Sequence, residues 1–177
     1  MTGNDHAITV GGIPLPSSTP LFLTLIGVHV AFGLVCVVAG LAAMLSDKGP
    51  RQHAGAGTVY FWSLCGVCFT ATALSVMRWA ETYHLFILGV LSFAAAMLGR
   101  TAHRRHWPQG LPWHIAGMSG SYIVLLTAFY VDNGRNLPLW RQLPQAAFWI
   151  MPSLLGIPLV LWQLLRHPLM RSWRRRQ

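Results

Sequence analysis

The 177 residues are 54% apolar and only 10% charged, whereas soluble domains average about a quarter charged residues, so an ordinary soluble domain is excluded. The formal net charge of +9 does not point to nucleic acid, because the basic side chains fall between apolar runs, the pattern of membrane topology signals and not of a basic binding face. The short alternating segments of a membrane barrel are not seen, which leaves an all-α integral membrane protein of one domain.

Residues 1–19 carry no Lys or Arg, and the apolar run that follows is too long for the core of a signal peptide. They read as an extracytoplasmic segment ahead of a first span, Pro20–Leu45. At 1.5 Å per residue a helix needs about 20 apolar residues to cross the hydrocarbon. Four more runs qualify: Gly57–Met77, Tyr83–Gly99, Trp113–Val131 and Ala146–Leu165. The third is short and is expected to extend into its flanks. Pro152 and Pro158 fall inside the fifth, where each removes a backbone donor. Residues 166–177 form a basic tail suited to anionic lipid.

Ten of the thirteen Lys and Arg fall on one side of this layout: Lys48, Arg51, Arg100, Arg104, Arg105, Arg166, Arg171, Arg174, Arg175 and Arg176. Only Arg78, Arg135 and Arg141 fall on the other. Cytoplasmic loops are the Lys/Arg-rich ones, so five spans place the N-terminus outside and the C-terminus inside. Trp79, Tyr83, Tyr130, Trp140 and Trp149 then mark the outer boundary, and Tyr60, Trp62, Trp107, Trp113 and Trp162 the inner one.

Four of the eight histidines fall in a pattern. His29 lies in the outer half of the first span, and His84 opens the third at the outer face. His53 precedes the second span by four residues, and His114 opens the fourth; both are at the inner face. In an up-down bundle alternate helices face one another across the core. Haem iron accepts axial histidine, and ionisable groups at membrane depth usually face the bundle interior. The pattern predicts two haem b groups, one held by His29 and His84 and one by His53 and His114, the same four imidazoles being the metal ligands. Gly33, Gly117 and Gly120 would leave room for a flat ring, although small residues also serve close helix packing.

Other chemistry is weaker. Cys65 and Cys68 have redox spacing but no nearby positive charge to stabilise a thiolate, and read as packing. His114 and Met118 form an i, i+4 pair that would suit copper only with further soft ligands. Ser119, Ser121, Tyr122 and Thr127 read as helix bridges.

The stretch HAGAGTVYFW (53–62) resembles a His-x3-Gly-x2-Tyr pattern opening a span, and HIAGMSGSYIVLLTAFYVDN (114–133) resembles a later His…Met…Ser-Tyr…Thr-Ala-Phe…Asn stretch. Both are similar to a bacterial domain-of-unknown-function family of predicted multi-pass membrane proteins. In that family basic residues follow the first histidine and the glycine; here Ala54 and Thr58 stand there. The resemblance spans roughly residues 20–165 and implies a multi-pass protein of a bacterial inner membrane. The histidine layout is also similar, in architecture alone, to transmembrane di-haem cytochromes b.

The expectation is a b-type cytochrome-like electron-transfer protein, taking electrons from a quinol or small reductant. The partners expected are the lipid bilayer, no nucleic acid, and further copies of itself or a larger membrane complex. The alternatives are a small-solute transporter or channel, with His29 and the proline-bearing span along a polar path, or a non-catalytic membrane subunit.

Overall fold

The structure, a computed structural model, describes residues 8–10, 13–15, 20–46 and 51–166. His6, Lys48, His167 and the basic tail beyond residue 166 lie outside the described residues.

A short antiparallel hairpin comes first. Strand β1 (Ile8–Val10) pairs with β2 (Ile13–Leu15) in the register Ile8 to Leu15, Thr9 to Pro14 and Val10 to Ile13. Ile8–Val10 is β-branched throughout and a Gly-Gly dipeptide separates it from Ile13–Leu15, a combination that suits a short hairpin beside an otherwise helical chain. Five helices follow: α1 (Pro20–Leu45), α2 (Gln52–Met77), α3 (Trp79–Arg104), α4 (Gly110–Asn133) and α5 (Gln145–Arg166). Their 22 to 26 residues rise about 33 to 39 Å, and all five are long and apolar enough to cross a membrane. Large apolar side chains such as Phe69, Val38 and Leu154 are more than two-thirds exposed, which suits hydrocarbon rather than water as their surroundings. The α1 bounds are those expected. Both α2 and α3 run further, because QHAGA and the flanks WAET and RTAHR continue the helical backbone beyond the apolar stretch. His53 is therefore the second residue of α2 rather than a residue of the preceding loop.

The chain divides into two compact units, Met1–Phe86 and Ile87–Gln177. In the first, α1 and α2 lie antiparallel, since contacts that ascend α1 descend α2. His29 meets Thr70, the Phe32 ring covers Gly66, the Cys36 thiol donates to the Tyr60 carbonyl at 3.6 Å, and His53 meets Ala43. Cys36, Tyr60 and Leu64 are buried in this seam. Tyr60 is thus a core residue of this seam. At Arg78 the helical run breaks. The Ser75 hydroxyl reaches the Thr82 carbonyl at 3.4 Å, although seven residues of straight helix would separate them by about 10 Å, so the chain turns back there.

In the second unit, the remainder of α3 crosses α4 in backbone contact. A β-carbon on Gly117 would lie 2.7 Å from the Cα and N of Gly99, and one on Gly99 would lie 2.9 Å from the Met118 nitrogen. Ser92 Oγ donates to the Ser121 carbonyl at 2.9 Å, and the two hydroxyls are 3.3 Å apart, so Ser121 bridges helices as expected. Thr127 instead donates to Ile123 within α4. Helix α5 packs antiparallel on α4, with Ile123 filling the space over Gly156 and the fully buried Phe148 ring lying against Gly134.

Helix α3 ends in a Schellman motif. The His106 amide donates to the His103 carbonyl and the Trp107 amide to that of Ala102, the paired bonds that satisfy orphan carbonyls. His106 occupies the left-handed position, φ 48°, where glycine carries no Cβ penalty. His106→Gly is expected to raise thermal stability by about 1 kcal/mol, read from unfolding in detergent.

Candidate functional site

Each histidine singled out by the sequence sits on a helix, partly buried. Three of the four have their Nδ1 hydrogen-bonded to the adjacent helix or its backbone. His53 Nδ1 lies 2.8 Å from the Ala43 carbonyl, and His114 Nδ1 lies 3.1 Å from that of Gly99. A carbonyl only accepts, so both rings carry their proton on Nδ1. His29 Nδ1 lies 2.8 Å from Thr70 Oγ1. The Thr70 hydroxyl donates back along its own helix to Gly66 and Val67, so it receives from His29, whose proton is likewise on Nδ1. In a neutral imidazole the lone pair then resides on Nε2. Metal-bound histidines commonly have this arrangement, one ring nitrogen tied to a carbonyl or similar acceptor and the other presented to the metal.

The two sequence motifs turn out to be packing faces. His53, Gly57 and Tyr60 follow an i, i+4, i+7 spacing, one side of a helix, and both His53 and Tyr60 engage α1. His114, Gly117 and Ser121 follow i, i+3, i+7, and all three engage α3. The construction is repeated: in each unit the second helix of an antiparallel pair begins with a histidine that donates to a carbonyl near the end of the first.

The glycines divide into two kinds. Gly117 is filled by the α3 backbone and leaves no room for a ring. Gly33, Gly57 and Gly120 are partly buried, yet a β-carbon on any of them would meet nothing within 4 Å. Gly33 and Gly57 each lie four residues after a histidine, His29 and His53, on the same helix face.

His84, in the second turn of α3, makes a T-shaped ring contact with Tyr83 at 5.7 Å. It follows Arg78 by six residues, and Thr70 precedes Arg78 by eight, so the outer candidates His29 and His84 both flank the bend. His103 packs on His114 with ring centroids 4.8 Å apart and planes tilted by 39°. The seat of His103 on the last turn of α3 brings it over His114. Among the described residues no group of three or more His, Cys, Asp or Glu converges on one point, so a site here would draw on two side chains.

Arg78 caps α2 at the bend. Its Nη2 holds both oxygens of Glu81, at 2.8 and 2.7 Å, while its Nη1 is buried with no hydrogen-bond partner among the described residues. Nothing in the sequence distinguishes it from Arg135, which is exposed.

Five apolar helices paired through seams of small and polar residues define a multi-pass membrane protein. Comparison with protein families, with characterised proteins and with solved structures gave no match for this chain.

Proposed function

We propose that the protein carries electrons across a membrane on two haem b groups held by histidine. The observation that carries this reading is the Nδ1 hydrogen bond shared by His29, His53 and His114, which in a neutral ring that donates from Nδ1 leaves on Nε2 the lone pair an axial ligand requires. Bound haem supplies the one-electron chemistry. The chain supplies the ligands, their orientation and an apolar surround that sets the dielectric.

The outer site uses His29 and His84, both in the first unit. The same chemistry is available at His53 and at His114, the inner candidates. His29 and Ala43, the partner of His53, are 14 residues apart on α1, so the two tiers are separated by about 21 Å along the helix axis. That separation divides a roughly 30 Å hydrocarbon layer into shorter electron steps. The open space at Gly33 and Gly57 would let a macrocycle approach the helix closely next to each ligand. The positive-inside pattern supports an outer N-terminus and an inner C-terminus, with a quinol or small reductant meeting the outer tier. A bacterial inner membrane and assembly with further copies or a larger complex are part of the same proposal.

Protein purified from haem-replete cells is expected to be red. Its Soret band should shift on reduction, with two haems per chain by pyridine haemochrome assay. A preparation that stays colourless after added haemin would sink the reading and return it to the solute path or the accessory subunit.

A further inference from the structure

Arg78 connects α2 to α3 at the bend that the outer histidines flank. Its side chain is 20% exposed, against 62% for its partner Glu81. A two-toothed arginine–carboxylate pair engages two guanidinium nitrogens, but here both Glu81 oxygens converge on Nη2. Nη1, with two N–H groups, is buried and has no hydrogen-bond partner among the described residues. A buried donor without an acceptor is costly, and in native proteins it calls for a specific account, an absent ligand among them. This nitrogen is closed to solvent, and among the described residues the carboxylate at the guanidinium, Glu81, is engaged at Nη2 from the exposed side. An anionic oxygen brought in by a bound molecule would supply that acceptor.

We propose that Arg78 is the carboxylate-binding residue of the outer site, its Nη1 receiving a carboxylate oxygen of the group bound there. This rests on the haem reading above. The carboxylate has two sources: a propionate of the macrocycle held by His29 and His84, or the carboxylate of an acidic reductant approaching it. Glu81 is the internal competitor, holding the guanidinium in place while drawing part of its charge.

The test uses the full chain in detergent, titrated with haemin and with haemin dimethyl ester, whose propionates are neutral. Wild type is expected to prefer the free acid by roughly tenfold to a hundredfold, the worth of one charged hydrogen bond. Arg78→Gln should abolish that preference, Arg78→Lys should keep part of it, Glu81→Gln should widen it, and Arg135→Gln should leave it unchanged. A second arm compares reduction of the bound haem by 2,5-dihydroxybenzoate and by its methyl ester. If Arg78→Gln spares the haemin preference but abolishes faster reduction by the free acid, the carboxylate belongs to the reductant. An Arg78→Gln protein that retains both preferences overturns the proposal. A wild-type protein that binds neither haemin nor its ester fails earlier, at the haem reading itself, and takes this proposal with it.

Discussion

Thr70→Val is expected to weaken haemin binding at the outer site by about tenfold to a hundredfold, the usual cost of losing the group that orients a metal-bound histidine, whereas His29→Ala removes one of the two haem equivalents altogether. Valine keeps the shape of threonine and removes the hydroxyl that accepts from His29 Nδ1. The imidazole remains but is free to rotate and to exchange tautomer. If His29 only pins α1 to α2, the two substitutions should instead cost similar stability, about 1 kcal/mol for the lost hydrogen bond, and neither should touch the spectrum. Difference absorption spectra of the two variants against wild type separate these outcomes, and their thermal unfolding supplies the second axis.

The largest stability effect is expected at Gly117. Its β-carbon would fall 2.7 Å from two backbone atoms of Gly99 and 2.7 Å from the Ala95 carbonyl oxygen. Backbone does not yield as a flexible side chain does, so α3 and α4 must separate. Overpacking of this kind costs about 1 to 3 kcal/mol, and Gly117→Val is expected at the upper end, about 3 kcal/mol. The same separation stretches the bond from His114 to the Gly99 carbonyl, so any inner haem should be lost alongside. Gly33→Ala and Gly120→Ala provide the contrast. Each meets nothing within 4 Å, and alanine is the better helix former by about 1 kcal/mol, so both should leave stability unchanged or raise it. A bulkier Gly33→Leu should also fold, yet it should block haemin beside His29. Thermal unfolding in detergent, followed by circular dichroism, orders the series; Gly117→Val as stable as wild type would contradict the close crossing.

The spans were legible because hydrocarbon imposes a single requirement, an uninterrupted apolar length, which hydropathy reads directly. Their pairing was not. A helix in lipid is apolar on all sides, so no stripe announces the face that meets a neighbour, and α1 shows this plainly, with Val38 and Leu34 exposed and Cys36 between them buried. The small and polar residues of the seams, Gly99 with Gly117 and Ser92 with Ser121, could be named as a class but not matched to partners. The helices that carry the four histidines could be expected from span positions; their hydrogen-bond partners could not, because the acceptors at Ala43 and Gly99 are backbone atoms that any residue would offer. His103 over His114 and the unpartnered nitrogen of Arg78 depend on how helix ends turn, and single-residue connections such as that at Arg78 leave little trace in composition.

The two imidazole bonds between α1 and α2 act together as a vernier. Smooth apolar helices in lipid slide past one another by one turn, about 5.4 Å, at little cost when nothing directional joins them. Here the two bonds lie about 21 Å apart along the pair, one from His29 to Thr70 and one from His53 to Ala43, and a one-turn slip breaks both at once. Motion of this hairpin is therefore confined to bending or rocking as one piece, and a fluorescent or spin-label pair placed across its two ends should report a single narrow distance through the working cycle.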